Sequence, residues 1–231
     1  MEKIKKLRKL FNQYNLDGYI VPKNNNFFGE YVSLPEDNLK YISNFTGSAG
    51  FAIILRNKNF MFVDGRYTTQ ANIQSGKNYK IFTIPQSYPF NVFNNKNLNL
   101  GFDPKLHTAI SLDKLFKNSF IKLKPINENL IDIIWKRKKN SNIKPFYLIK
   151  DLDAGEKLKN KLSRLTQQIK LSKADYLFTT ASENIAWLLN LRGGDTDYSP
   201  LPNSHAFVNK NKEIFLFCNL KKINKSLRLK L

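Results

Sequence analysis

The sequence predicts an α/β fold built as two similar units, and three observations predict it. Short apolar runs alternate with stretches of helical periodicity. Turn-forming clusters separate the runs. The order helix, strand, helix, glycine stop, hairpin then occurs twice along the 231 residues.

The first copy opens at Met1 to Asn15, where Ile4, Leu7, Leu10, Phe11 and Tyr14 recur at helical spacing. Lysines interrupt that stretch, so it lacks the apolar core of a signal peptide. Asp17 to Pro22 reads as a buried strand, and a helix is expected over Leu39 to Phe45, stopped by Gly47-Ser48-Ala49-Gly50. Phe51 to Leu55 and Phe60 to Val63 are strands joined by the hairpin-like turn Arg56-Asn57-Lys58-Asn59, and a helix fits Arg66 to Gln74. Leu98 to Asp103 and Ile121 to Pro125 read as further strands around a helix at Ser111 to Phe116. The basic run Lys136 to Lys144, ending at Pro145, reads as a linker because it buries no core.

The second copy starts near Gly155. Leu158, Leu162, Leu165 and Ile169 form an apolar stripe, with Lys157, Lys159, Lys161 and Arg164 assigned to the solvent side. Ala174 to Thr179 is the counterpart of the first strand. Glu183 to Leu191 is the next helix, stopped by Gly193-Gly194, and Ala206 to Val208 pairs with Glu213 to Phe217 across Asn209-Lys210-Asn211-Lys212. The expected domains are therefore 1–140 and 145–231. The basic tail from Lys221 to Leu231 reads as a continuation or a frayed end.

Composition narrows the class. Hydrophobic residues make up 42% and aromatics 13%, enough for packed cores. The formal charge of +20 raises a nucleic-acid reading, but the lysines are spread through every segment, and charge alone argues solubility and non-specific attraction. Cys218 is the one cysteine, so no internal disulfide forms; it reads as a core filler beside a strand. No stretch reaches the length of a membrane span, and a cytoplasmic location is expected.

Phe45-Thr46-Gly47-Ser48-Ala49-Gly50 followed by Val63-Asp64-Gly65-Arg66-Tyr67 resembles the N-terminal domain of the creatinase and aminopeptidase P family. Gly101-Phe102-Asp103-Pro104 and Asn129 to Trp135 match as well. Glu183 to Gly193 is similar to the middle domain of the long, three-domain aminopeptidases P. The resemblance implies two creatinase N-terminal-like domains, each a mixed sheet flanked by helices. It implies an Xaa-Pro aminopeptidase that removes the residue before a proline, using two manganese ions held by Asp, His and Glu in a C-terminal pita-bread domain. The chain is expected to stop before that domain. Its two histidines, His107 and His205, have no carboxylates at ligand spacing, so no cofactor is expected in this chain and no hydrolysis by it alone. Implied partners are the pita-bread domain, peptides with proline second, and a second copy in a homodimer. Free-standing peptide or protein binding is the alternative reading.

Four residues are cleft candidates by resemblance, each with an ordinary explanation beside it. Glu30 lies in a loop, where a carboxylate is normally just solvated; the resemblance sets it at the mouth of the active site, facing a peptide's α-amino group. Arg66 either pairs with Asp64 or clamps a carboxylate or carbonyl at the catalytic domain. Arg192 ends a helix, where exposed carbonyls favour a cation. Trp187 on that helix reads as core or cleft, and the resemblance sets the Trp187 to Arg192 segment against the catalytic domain. Ser48 has no histidine partner for nucleophilic chemistry, and its loop lacks the lysine of a phosphate-binding loop. His205 stands where an aromatic residue is expected beside the next strand.

Overall fold

Ile4 and Leu7 form the buried stripe of α1 (Glu2–Leu10), continued by buried Phe11 at its C-terminal cap, in the computed structural model, which describes residues 1–137 and 143–229. The chain divides into two units, Met1–Asn26 with Leu34–Lys138, and Phe27–Ser33 with Lys139–Leu231. The middle of the predicted linker, residues 138–142, lies outside the described residues, as do the last two residues of the predicted tail.

In the first unit, β1 (Gly18–Pro22), α2 (Asn38–Ser43), β2 (Gly50–Leu55), β3 (Asn59–Asp64), α3 (Thr68–Ser75) and β4 (Lys80–Ile84) follow α1. Then come α4 (Pro89–Val92), β5 (Leu98–Phe102), α5 (Ala109–Phe116), β6 (Ile121–Pro125) and α6 (Leu130–Ile134). The strands make one mixed sheet in the order β4-β3-β2-β1-β5-β6, antiparallel from β1 to β3 and parallel elsewhere. Period-two alternation splits its side chains between two cores. Tyr19, Val21, Ala52, Ile54, Met61 and Val63 pack with α1, α2, α3 and α6. Ile20, Phe51, Ile53, Phe60 and Phe62 pack with Phe93, Leu112 and Phe116.

Two local expectations change here. α2 is ended by Asn44, which takes a left-handed φ of 66° and returns its N–H to Lys40 O at 2.8 Å; the glycines at 47–50 do not stop it. The helix expected from Arg66 is a 3-10 turn, Gly65–Tyr67, leading into α3. β4 escaped the sequence reading because it is an edge strand, half-buried and carrying Lys80 and Thr83.

The second unit contains β7 (Tyr147–Leu148), α7 (Asp151–Ala154), α8 (Leu158–Leu171), β8 (Tyr176–Thr179), α9 (Ser182–Leu189), β9 (Leu191–Arg192), β10 (His205–Asn209), β11 (Ile214–Phe217) and α10 (Lys225–Arg228). β11, β10 and β8 form an antiparallel sheet, and β7 pairs with β9. Leu162, Ile169, Ile185, Leu188, Val208 and Leu227 share its core. Cys218 packs against this core as a filler, and burial pushes its thiol pKa up. The tail is not frayed through Leu229: Asn224 accepts the Leu227 N–H at 2.8 Å, and Leu227 is buried.

The repeat is physical. Arg56, just after β2, donates its N–H to Asp17 O at 3.2 Å, and Lys210, just after β10, donates to Asp175 O at 3.1 Å. Asn190 ends α9 at a left-handed φ of 51°, as Asn44 ends α2, so Gly193-Gly194 are not the stop. Lys161 is the main correction: assigned to solvent, it is 2% exposed. No helix among the described residues is long and apolar enough to cross a membrane.

Candidate functional site

The two motifs of the first unit fold onto one another. β3 delivers Asp64 to the edge of the 3-10 turn, and the Asp64 carboxylate accepts the Arg66 N–H at 3.0 Å and its Nε–H at 2.8 Å. This pairing holds the Asp64 pKa below its usual range, so the carboxylate is ionised and fixes the base of the guanidinium. The Arg66 side chain is 74% exposed. Tyr67 then points back, and its hydroxyl lies 2.7 Å from Ser48 Oγ.

Close packing sets the small residues of the loop before β2. A Cβ on Gly47 would come 2.3 Å from Phe45 Cζ and 2.9 Å from Tyr67 Cδ1. The Phe45 and Tyr67 rings meet edge to face at 6.0 Å. Contact rather than an unusual backbone angle therefore demands glycine here. Thr46 is held from α3: Gln74 Oε1 accepts its N–H at 2.9 Å, and Gln70 Nε2 donates to its hydroxyl at 2.8 Å. The hydroxyl beside Ser48 belongs to Tyr67 and not to a base, so nothing here activates a serine nucleophile. What the arrangement offers is an exposed guanidinium held at its Nε by Asp64, of a chemistry suited to a carboxylate or carbonyl. Tyr67, which joins the two motifs, was missed as a site residue; its place directly after Arg66 was the available signal.

In the second unit, Arg192 donates to Ala186 O at 2.8 Å and to Leu191 O at 2.9 Å, closing the end of α9. Trp187 is not core: it is 52% exposed, with the Lys161 ammonium 4.6 Å from its ring centre and 2.7 Å from its carbonyl oxygen. Lys161 was missed because it was read as solvated, yet it follows Leu158 by three residues and so shares the apolar stripe. Glu30 is exposed, in the segment Phe27–Ser33 that belongs to this unit. Its neighbours anchor it: Phe27 meets His205 at 5.1 Å and Tyr31 meets Tyr198 at 5.8 Å between ring centres. His205 also meets the Phe178 ring, at 6.0 Å between ring centres.

Trp187 and Arg192 lie together around one helix end, whereas Arg66 belongs to the other unit. None of the four candidates lines the polar cleft of about 340 Å³ in the first unit, whose groups largely satisfy each other, as Asn129 does with Asp103 at 2.9 Å and Arg137 with Asn38 at 2.6 Å. Among the described residues no group of three or more His, Cys, Asp or Glu is placed to hold a metal ion, so the residues present do not fit the two manganese ions that the resemblance implies.

Models of the Creatinase/Prolidase N-terminal domain match residues 3–132 and 137–231. A probable Xaa-Pro aminopeptidase P of Laccaria bicolor is 33% identical over 239 residues, covering 98% of this chain and 37% of the relative. Xaa-Pro aminopeptidase 1 of Dictyostelium discoideum is 31% identical over 242 residues, with 96% and 38% covered. The crystal structure of X-prolyl aminopeptidase from Caenorhabditis elegans, described as a cytosolic enzyme with a di-nuclear active site, superposes with a TM-score of 0.89 at 28% identity, over 99% of this chain and 40% of that one. The chain thus spans well under half the length of these relatives. With both of its units matched, the chain belongs to the Creatinase/Prolidase N-terminal domain family.

Proposed function

We propose that residues 1–231 serve as the non-catalytic N-terminal region of a metal-dependent Xaa-Pro aminopeptidase. Two domains, 1–140 and 145–231, wall the substrate cleft and support oligomerisation. The hydrolytic chemistry, with its two manganese ions, belongs to a pita-bread domain contributed by polypeptide outside these residues. Arg66 clamps a carboxylate or carbonyl of the bound peptide, Glu30 meets its α-amino group, and Trp187 and Arg192 line the side formed by the second domain. The cytosolic description of the C. elegans relative favours the same compartment for this protein.

The observation that carries this reading is the match of nearly the whole chain to 37% of an Xaa-Pro aminopeptidase P, joined to the lack of a metal-donor group among the described residues. The test is reconstitution. The chain is mixed with the separately made remainder of the C. elegans enzyme, and cleavage of an Xaa-Pro peptide is assayed. Activity well above that of the remainder alone is expected; no gain in rate contradicts the proposal.

A further inference from the structure

The polar cleft of about 340 Å³ in the first unit lies at the carboxyl ends of three neighbouring parallel strands. Asn24 to Asn26 follow β1, Asp103 and Lys105 follow β5, and Asn127 to Asn129 follow β6. β1 and β5 are adjacent, and the chain leaves them toward opposite faces of the sheet. From β1 it runs to α2, whose Leu39 and Ile42 share a core with α1. From β5 it runs to α5, whose Leu112 and Phe116 belong to the other core. Neighbouring connections that part in this way open a crevice at the strand ends, where open α/β sheets bind their ligands.

The wall of this crevice sets the chemistry of what fits. Twelve of its thirteen lining residues are polar, Leu106 being the exception. Asn25, Asn38 and Asp103 are only 4%, 5% and 5% exposed. Asn38 is held by Arg137 at 2.6 Å and Asp103 by Asn129 at 2.9 Å, so the wall is preformed. Glu36, Asp103, Glu128 and Asp132 outnumber the two cations, Lys105 and Arg137, which makes the cleft acidic in a chain of net charge +20. Burial, joined by the Asp103 carboxylate, raises the Asp132 pKa against the pull of Arg137, so a further positive charge is welcome there. The cleft also has a donor to offer: Arg137 Nε is buried and has no hydrogen-bond partner among the described residues.

A ligand matched to this wall carries an ammonium for the carboxylates and an acceptor for the two cations, within a space at the small end of ligand pockets, which run from roughly 300 to 1,000 Å³. We propose that the cleft binds a free polar α-amino acid, with its ammonium toward Glu128 and Asp103 and its carboxylate toward Arg137 and Lys105. The asparagine amides, each both donor and acceptor, receive its polar side chain. A neutral polyol leaves the excess negative charge unanswered, and a simple amine leaves Arg137 Nε without an acceptor.

The test titrates the ¹⁵N-labelled full chain and follows its backbone amide chemical shifts. The probes are L-serine and L-glutamine, with ethanolamine and 3-hydroxypropionate, which are serine without its carboxylate and without its ammonium. At least one amino acid should saturate at about millimolar concentration, moving the amides of residues 24–26, 103–106 and 127–129. Each half-molecule should bind at least about tenfold more weakly. Glu128→Gln and Lys105→Met, both at exposed positions of the rim, should each weaken the amino acid about tenfold with the remaining spectrum unchanged. Asp113→Asn, the same loss of charge on α5 outside the cleft, should leave binding intact. No saturable shift with either amino acid overturns the proposal, as do shifts confined to other residues. Ethanolamine or 3-hydroxypropionate binding as tightly as L-serine also overturns it, as does full affinity in both rim variants. The proposal uses nothing from the function proposed above, so reconstitution of peptide cleavage succeeds or fails independently of it.

Discussion

The Lys161 ammonium lies 2.6 Å from Asn190 Oδ1, joining the first turn of α8 to the residue that ends α9. Asn190 in turn donates to Glu156 O at 3.0 Å, so one lysine fixes a left-handed cap, a helix end and the carbonyl of Trp187. Burial lowers the Lys161 pKa, with the Glu156 carboxylate opposing. Lys161→Met keeps the length of the side chain but leaves two acceptors without their donor. The second unit should lose about 1–3 kcal/mol of stability, read by denaturant unfolding. An unchanged midpoint would show that water replaces the ammonium at no cost.

His107 predicts a pH dependence. Burial pushes its imidazole pKa from 6.5 down to about 4, against the opposing pull of Asp103, and its buried Nε2 has no hydrogen-bond partner among the described residues. The folded state therefore holds a proton less tightly than the unfolded chain. The stability this group contributes is fully present above pH 6.5 and is lost as pH falls toward 4. The loss amounts to roughly 3 kcal/mol if the whole shift is expressed. His107→Phe, beside the Phe102 ring, should flatten this part of the stability profile. Wild type and variant falling in parallel through the same window would remove His107 as the cause.

Gly47→Ala tests the packing of the first motif. The added methyl would sit 2.3 Å from the buried Phe45 ring, which has no room to retreat from the core. Overpacking of this kind costs about 1–3 kcal/mol. The Ser48–Tyr67 contact should loosen with it, visible as faster exchange in the loop before β2. A variant as stable as wild type would mean that the loop shifts freely.

The fold was legible wherever burial enforced a period. Ile4, Leu7 and Phe11 gave α1, and the unbroken apolar runs gave β1, β2 and β3, because strands buried on both faces have no polar positions. β4 was hidden because an edge strand tolerates Lys80 and Thr83. The helix ends were misplaced because glycine is the commoner left-handed residue, whereas Asn44 and Asn190 take that role here. Lys161 was misread because charge normally marks the wet face, and its Asn190 and Trp187 acceptors, with the Glu156 carboxylate, make its burial tolerable. For the candidate site, the motifs around Gly47 and Arg66 were visible as residue strings. The Asp64 clamp, the Ser48–Tyr67 pair and the exposure of Trp187 depend on contacts that no string carries.

Arg66 bears most directly on the proposed role of these domains as cleft walls, since Asp64 fixes it and its side chain is largely exposed. The decisive measurement uses a chimera in which this chain replaces the matched region of the C. elegans X-prolyl aminopeptidase. kcat/KM for an Xaa-Pro peptide is compared between the chimera and its Arg66→Ala variant, with circular dichroism as the check on folding. The account predicts an active chimera and a loss of roughly a hundredfold in the variant with the fold unchanged. An active chimera whose kcat/KM does not respond to Arg66→Ala would contradict it.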